Sequence, residues 1–248
     1  MTSLPNALEP HALPDAWLRA IDEAAPVLLG PHDRTGPALV TEVARLSELY
    51  TRDRGALRTQ SAALAARLRF FLPRDLPKVE GPLAELAWAG ALPARRRWRV
   101  LDLGAGLGTS TLGIATFARR ADIEGLDVLA IERDARSLDV MKNLAARCGH
   151  GALEPVTVPV QLETRELDLE RIDVRALRGP YDLVVIGLAL NELWAEHPDA
   201  LDRRATLLVR ASEILADDGA LIVIEPALRE SARALQAVRD RIAARHGS

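Results

Sequence analysis

Residues 98–109 read Trp-Arg-Val-Leu-Asp-Leu-Gly-Ala-Gly-Leu-Gly-Thr, and this segment settles the fold class. A short apolar run that ends in glycines is typical of a buried parallel strand that enters a tight turn. Gly104 and Gly106 let the backbone turn sharply and approach a ligand, and Gly108 permits close packing where the next helix begins. The segment therefore predicts a strand, a ligand-binding loop and a helix start in one α/β unit.

Alternating strand and helix patterns follow this segment to the end of the chain. The predicted strands are 98–103, 127–131, 156–161, 181–187 and 220–225, and the predicted helices are 110–120, 134–148, 201–215 and 231–245. Asp134 is suited to cap the second of these helices, and Gly149 to end it. Such an alternation predicts a Rossmann-like parallel sheet with right-handed crossovers and helices on both faces.

The preceding residues, 15–92, have a helical pattern. Apolar residues three and four apart in 38–50 make one apolar stripe, and 57–71 and 82–88 continue in the same style. Prolines at 73, 77 and 82 predict a loop or short turns over 72–81. We therefore expect a helical N-terminal module, 1–94, before the Rossmann-like domain, 95–248.

Composition narrows the class of protein. The chain has 248 residues, 48% of them hydrophobic and 27% charged, with no apolar run of the roughly 18 residues that a membrane helix needs. The N-terminus does not resemble a secretory signal, so we expect a cytoplasmic protein with no membrane contact. Cys148 is the single cysteine, and the five histidines lack ligand spacing, so we expect no metal in this chain.

The spacing of the glycine loop discriminates between cofactors. A dinucleotide fingerprint is G-x-G-x-x-G and faces a pyrophosphate, whereas residues 104–108 read G-x-G-x-G with Asp102 two residues ahead. An acid at this place would repel phosphate but suits a cofactor that carries an ammonium group. S-adenosylmethionine has such an amino acid end, so we expect it as the cofactor.

Glu132 ends the second predicted strand. A carboxylate there can accept hydrogen bonds from both ribose hydroxyls and would disfavour a 2′-phosphate. Together with the loop it gives a predicted cofactor site of Asp102, Gly104, Ala105, Gly106, Gly108, Glu132 and Gly187. A nicotinamide-dependent oxidoreductase and a Rossmann-like domain whose pocket has decayed are the alternatives.

No catalytic residue is assigned from the sequence. Residues 187–193 follow the fourth predicted strand, where methyltransferases commonly present substrate-facing groups, but the Asn/Asp-Pro-Pro-aromatic motif is absent. Asn191 and Glu192 are candidates for orienting a substrate, or they are simply the polar start of a helix. Cys148 lies far in sequence from the strand tips, which disfavours a cysteine nucleophile.

Net charge is −3, which argues against wholesale wrapping of nucleic acid, but two basic runs stand out. One is 95–99, with four arginines, and the other is Arg67, Arg69, Arg74 and Lys78, which flank Phe70-Phe71. Arginines interleaved with aromatics are able to contact RNA phosphates and bases. Solvated helix faces are the commoner explanation, and the one we favour.

Several short segments carry a resemblance to a known family. They are 46–50 (Leu-Ser-Glu-Leu-Tyr), 66–68 leading to Leu72-Pro73, 101–109, 190–193 (Leu-Asn-Glu-Leu), and 224–226 (Ile-Glu-Pro) followed by Arg239. From about residue 46 to 241, the chain resembles the methyltransferase-like family associated with the small ribosomal subunit, which comprises mitochondrial ribosome assembly proteins and bacterial relatives. This family lies within the class I S-adenosylmethionine-dependent methyltransferases.

The resemblance implies a protein that binds S-adenosylmethionine, or descends from one that did, and that associates with small-subunit ribosomal RNA during assembly. Class I sheets usually have seven strands and the family usually continues into a cysteine-rich metal-binding segment, so we expect the last strands and that segment to be missing here. Two hypotheses stay open: a non-catalytic assembly factor, and an active methyltransferase of a small molecule, a protein or another RNA.

Overall fold

A computed structural model describes residues 12–52 and 63–246. The strands are β1 (Arg97–Leu103), β2 (Gly125–Glu132), β3 (Val160–Glu166), β4 (Tyr181–Gly187) and β5 (Leu215–Ile224). The helices are α1 (Asp15–Leu29), α2 (Gly36–Arg52), α3 (Leu64–Ala66), α4 (Leu72–Asp75), α5 (Glu80–Trp88), α6 (Thr109–Arg120), α7 (Ala135–Ala145), α8 (Ala200–Ser212) and α9 (Arg229–His246). Part of the predicted helix 57–71 lies outside the described residues.

The five strands form one parallel sheet in the order β3-β2-β1-β4-β5. Val100 of β1 pairs with Val128 of β2 on one side and with Leu183 of β4 on the other. The chain therefore leaves β1 in one direction and returns to its other side at β4. Ligands bind at such a switch point, beyond the carboxyl ends of the strands. The predicted Rossmann-like fold of the class I methyltransferase type is confirmed.

Alternate residues of the strands feed two hydrophobic clusters, one on each face of the sheet. Val100 and Val128 point into a cluster that also holds α1, α6 and α7, whereas Leu101 and Leu129 point into the cluster covered by α8 and α9. This double coverage explains why the central strands are almost wholly apolar.

The helical N-terminal module packs directly on the first of these faces. The Trp17 side chain is fully buried, and its indole N–H donates to Oγ1 of Thr116 in α6 at 2.9 Å. Gly113 of α6 lies against the carbonyl oxygen of Leu76, at a place where any Cβ would collide with it. The hydrophobic core thus crosses residue 94, and the division into two domains stays a prediction.

Segment 72–81 contains no loop; of the two predicted alternatives, it has the short turns, and these are helical. A π-helical stretch (Arg67–Phe71), α4, a 3₁₀ turn (Leu76–Val79) and α5 follow one another without a break. Pro73 and Pro77 each occupy an early position of a short helical piece, where the missing N–H is harmless. Each proline therefore starts a new piece.

Two strands differ from their predicted bounds by more than two residues at one end or both. β3 begins at Val160, because 154–156 form a turn and 157–159 have no regular secondary structure. Its charged, half-exposed residues give a weak strand pattern at the sheet edge. β5 begins at Leu215, with an irregularity between the partners of Tyr181 and Leu183 that contains the predicted turn 217–219. β4 has its predicted bounds.

Within residues 12–52 and 63–246, no helix combines the length and the apolar character needed to cross a membrane. The same residues contain no group of three or more histidine, cysteine, aspartate or glutamate side chains placed to hold a metal ion.

Candidate active site

A cavity of about 820 Å³ opens at the carboxyl ends of β1 and β4. The loops after all five strands contribute to its floor and sides, and the helical module covers it with residues from α2 and from 67–79. Gly104, Ala105, Gly106, Glu132 and Gly187 line the cavity, and these are five of the seven residues predicted to bind the cofactor. Asp102 and Gly108 lie next to it.

The glycine loop turns back on the sheet directly after β1. The N–H groups of Gly104 and Ala105 both donate to the carbonyl oxygen of Ile131, at 2.8 and 3.0 Å. Gly104 has φ of +75°, and a Cβ there would lie 2.7 Å from Cβ of Ala189 in the loop after β4. Glycine is therefore required at 104 both for the turn and for the approach of the second loop.

Gly108 serves packing. It caps the start of α6 with φ of +87°, and a Cβ there would lie 2.6 Å from Cγ of Met141 in α7. This is the close approach that the sequence predicts for the third glycine, and it brings α6 and α7 together below the loop.

Glu132 binds three backbone N–H groups. Its Oε2 accepts from Gly106 at 2.9 Å, and its Oε1 accepts from Arg133 at 2.8 Å and from Asp134 at 3.0 Å. The carboxylate is held in place at the rim of the cavity, and a carboxylate oxygen can accept a further hydrogen bond from a ligand hydroxyl.

Asp102 is turned away from the cavity, and it is only 1% exposed. Its Oδ2 accepts from the hydroxyl of Thr111 at 2.7 Å and from the Thr111 N–H at 3.3 Å, so it binds the first turn of α6. Burial raises the pKa of Asp102 from 3.8 to about 6, although the Thr111 hydrogen bonds oppose the shift. Direct contact between Asp102 and a cofactor ammonium group stays a prediction.

Arg67 connects the module to the start of α7. Its Nη1 donates to the Ser137 hydroxyl at 3.0 Å and lies 3.6 Å from Oδ2 of Asp134. A Cβ on Gly106 would lie 3.3 Å from Nη2 of Arg67, so the guanidinium also closes over the glycine loop. One cation from the module therefore fixes two edges of the cavity.

The loop after β4 is strained and firmly held. Leu188 has φ of +59°, which is rare for a leucine, and its N–H donates to the carbonyl oxygen of Ile224 at 2.7 Å. Gly187 lies so close to the Ser110 hydroxyl that a Cβ would collide with it. Such outliers concentrate at functional sites, where surrounding contacts impose them.

Asn191 supports this loop from within. Its backbone N–H and its side-chain amide donate to the two oxygens of Glu225, at 2.9 and 2.7 Å, and its carbonyl oxygen accepts from Arg204 at 2.7 Å. The Trp194 N–H donates to Oε1 of Glu170 at 2.6 Å. The side-chain amide of Asn191 is therefore used in the framework, which favours the structural interpretation of this residue.

Glu192 is the acid of this loop that faces the cavity. Burial raises its pKa from 4.5 to about 7, with further raising by Glu225 and Glu132 and with lowering by Arg133 and Arg67. Its carboxyl group thus changes charge close to neutral pH.

The module supplies an aromatic and a charged part of the wall. The rings of Tyr50 and Phe71 meet edge to face at 5.2 Å, and the Arg74 guanidinium lies 4.5 Å from the centroid of Phe71. Asp75 accepts from Arg74 at 2.6 Å and from Lys78 at 2.9 Å. Sequence reasoning missed Tyr50, Arg67 and Phe71 as cavity residues, although Tyr50 and Arg67 lie in the segments that carry the family resemblance.

Both basic runs are paired. In the first, Arg95 binds Asp182 and Asp218, Arg96 binds Glu124, Arg97 binds Asp127, and Arg99 lies over the ring of Tyr181. In the second, Arg67 lies near Asp134, Arg69 binds Asp33, and Arg74 and Lys78 bind Asp75. These contacts favour the structural interpretation of the two runs over RNA contact.

The Cys148 thiol is buried and lies 3.8 Å from the carbonyl oxygen of Leu144. Burial raises its pKa to about 12, so it is almost entirely a protonated thiol at neutral pH. It does not line the cavity.

No family model and no curated protein matches the chain. Among similar solved structures, a Haemonchus contortus phosphoethanolamine N-methyltransferase, in complex with phosphoethanolamine and S-adenosylhomocysteine, is 14% identical, with a TM-score of 0.39, over 74% of this chain and 32% of that one. An arsenic(III) S-adenosylmethionine methyltransferase from Chlamydomonas reinhardtii is 24% identical, with a TM-score of 0.35, over 52% of this chain and 39% of that one.

The CurJ carbon methyltransferase is 14% identical, with a TM-score of 0.41, over 92% of this chain and 65% of that one. The chain therefore spans less than two-thirds of the length of each of these three structures. At such identities and TM-scores the likeness supports no statement about reaction or substrate.

Proposed function

We propose that this chain binds S-adenosylmethionine in the cavity at the ends of β1 and β4 and is a methyltransferase. The observation that carries the proposal is the hydrogen bond between the Gly106 N–H and the Glu132 carboxylate, at 2.9 Å. It joins the glycine loop and the acid at the tip of β2 in one cavity at the switch point of the sheet.

The residues present fit this cofactor. Glu132 would receive a ribose hydroxyl at Oε2, which accepts one N–H, from Gly106, and can accept a further hydrogen bond. The carboxylate would also exclude a 2′-phosphate. Gly104 and Gly106 leave room for a ligand beside the backbone, where no side chain intervenes. When bound, S-adenosylmethionine supplies an activated methyl group for direct displacement, for which the protein needs to provide positioning and, for some acceptors, a base.

Calorimetric titration with S-adenosylmethionine and S-adenosylhomocysteine tests the proposal, with NAD as the competing ligand. We expect micromolar binding of the two sulfur compounds, no binding of NAD, and at least tenfold weaker binding by Glu132→Ala. Glu166→Gln, at the exposed end of neighbouring β3, is the control. Absence of binding by the unaltered chain would indicate a decayed pocket, and binding of NAD alone would indicate an oxidoreductase.

Association with the small ribosomal subunit is a second candidate, and its support is the sequence resemblance carried by segments such as 190–193 and 224–226. This candidate function would require the predicted cytoplasmic location and contact with small-subunit ribosomal RNA. Co-sedimentation of the chain with assembling small subunits tests it. Methylation of an isolated small acceptor at a high rate, without such co-sedimentation, would count against it.

A further inference from the structure

Seven carboxylate side chains line the cavity, and six of them have a donor. The six are Asp75, Glu132, Asp134, Asp168, Glu170 and Glu225, which bind arginine, lysine, hydroxyl, amide or backbone N–H groups. Glu192, the seventh, accepts no hydrogen bond from the residues that the structure describes. A half-buried carboxylate needs hydrogen-bond donors, and a ligand in the cavity can supply them.

The backbone on either side of Glu192, unlike its side chain, is held by hydrogen bonds. Its neighbour Asn191 is bound on two sides, by Glu225 beyond β5 and by Arg204 of α8, and Arg204 also donates to the Leu193 carbonyl oxygen at 2.9 Å. A catalytic side chain needs a backbone that is held in place, and Glu192 has this together with a carboxylate that has no hydrogen-bond donor among the described residues.

The charged groups around Glu192 come from several elements. Arg133 after β2 and Arg67 of the module favour its ionised form, whereas Glu225 and Glu132 oppose it. The Tyr50 hydroxyl of α2 is a further titratable neighbour: burial raises its pKa, and the charge of Glu192 adds a smaller rise. Burial outweighs these influences and brings the pKa of Glu192 to about 7. Such a group both takes up and releases a proton at neutral pH.

We propose that Glu192 is the general base of the methyl transfer, and that the acceptor is a small molecule or side chain whose nucleophilic atom carries a proton, as in a hydroxyl or an ammonium group. The inference rests on the proposed function. Carboxylate and thiolate acceptors need no base, so the site would have no use for Glu192 with them.

Methyl transfer to such an acceptor needs a free lone pair and a destination for the proton. The lone pair on the acceptor oxygen or nitrogen forms a bond to the methyl carbon, the carbon–sulfur bond breaks, and its electron pair stays on sulfur. The proton of the acceptor passes to a carboxylate oxygen of Glu192, which later releases it to water. With an ammonium acceptor, Glu192 takes up one proton before attack, so that the lone pair is free, and the methylated nitrogen keeps its two remaining protons and the positive charge. Tyr50 and Phe71, on the module side, would bound the acceptor.

Glu192→Gln tests the role, with Glu196→Gln as the matched control on an exposed position of the same loop. S-adenosylhomocysteine formation is followed between pH 5.5 and 9 with four probes: a phenol, a primary amine, a thiol and a carboxylate. We expect turnover with the phenol or the amine, a rate that rises through about pH 7, and a loss of about 100-fold or more in Glu192→Gln. The rise through pH 7 should vanish in that variant.

A second measurement needs neither acceptor nor cofactor. The infrared difference between the unaltered chain and Glu192→Gln should show a carboxyl group that titrates near pH 7. Titration near pH 4, full turnover by Glu192→Gln, or reaction with the thiol or carboxylate probe alone would overturn the inference. If no probe reacts, a Glu192 carboxyl group that titrates near pH 4 still overturns the inference.

The failures are distinguishable. If only the role of Glu192 is wrong, calorimetry should still show binding of S-adenosylmethionine by Glu192→Gln and by Glu196→Gln. Failure of the proposed function would appear as no binding by the unaltered chain.

Discussion

The backbone N–H of Gly106 donates to Oε2 of Glu132 at 2.9 Å, across 26 residues of sequence. The glycine loop after β1 and the acid that ends β2 are therefore joined directly, by a hydrogen bond between the chain's own groups. The same carboxylate accepts hydrogen bonds from two further N–H groups, just before α7. One side chain therefore holds both the glycine loop and the segment that leads into α7.

Removing this carboxylate should destabilise the chain itself. Glu132→Ala leaves three N–H donors without their acceptor, and we expect the free energy of unfolding to fall by about 2 kcal/mol. Glu132→Gln keeps one amide oxygen and should lose about half as much. Urea unfolding at pH 7 without ligand measures both, and equal stability of the alanine variant and the unaltered chain would refute the organising role.

Gly104→Ala should both destabilise the chain and abolish cofactor binding. The φ of +75° disfavours a side chain by about 1–2 kcal/mol, and the new Cβ would press on Ala189. Gly81→Ala is the control, because Gly81 lies in α5 and a Cβ added there would have no other atom within 4 Å. Thermal melts should show a lowered midpoint for the first variant and an unchanged or raised one for the second.

Asp102 should make stability depend on pH with an unusual sign. Its pKa rises from 3.8 to about 6 on folding, so the folded chain holds the proton more tightly and loses stability as pH climbs between these values. The shift corresponds to about 3 kcal/mol. Asp102→Asn keeps an acceptor for Thr111 without ionising.

We therefore expect Asp102→Asn to match the unaltered chain near pH 3.5 and to exceed its free energy of unfolding progressively up to pH 7. Urea titrations at several pH values give the difference between the two chains, which cancels the other titrating groups. A difference that does not change with pH would contradict the buried, proton-holding state of Asp102.

Arg67→Ala should loosen the module from the start of α7. The variant loses the hydrogen bond to Ser137 and the ion pair with Asp134, which together are worth about 1 kcal/mol of unfolding free energy. Arg45→Ala, on an exposed position of α2, should change stability by less than about 0.5 kcal/mol. Denaturant unfolding measures the free energy of unfolding of both variants. Equal losses would show that Arg67 does not hold the module against the start of α7.

Cys148 should resist thiol reagents in the native chain. The thiol is buried and its pKa is raised to about 12, so attack has to wait for local opening. We expect negligible labelling by iodoacetamide over an hour at pH 7.5 and full labelling in guanidinium chloride. Rapid labelling of Cys148 in the folded chain would contradict its burial, and a role of its thiol as a nucleophile would have to be considered again.

The sequence predicts the sheet and the glycine loop because both follow from local patterns. The apolar run of β1, the three glycines and the acid at the tip of β2 each report on their immediate neighbours in the chain. The predicted start of β3 is four residues early because an edge strand needs little apolar character, and charged residues such as Glu163 and Arg165 dilute its signal.

What the sequence does not predict depends on distant contacts. The orientation of Asp102 is set by Thr111 on α6, and the helical character of 72–81 depends on packing against α6. The closure of the cavity by Tyr50, Arg67 and Phe71 joins residues far apart in the chain, and no periodicity reports such a contact. Glu192 is a candidate on the sequence alone, but its lack of a donor is a property of the fold.

Gly113 gives a way to recognise this architecture in other chains. Because the Leu76 carbonyl oxygen occupies the space of a side chain at 113, the module can rest on α6 only if that position is glycine. A relative with alanine or a larger residue there must place its module differently, so the part of the cavity wall that the module supplies would differ too. One position in a helix thus reports how the module lies over the cavity, whatever the cavity binds.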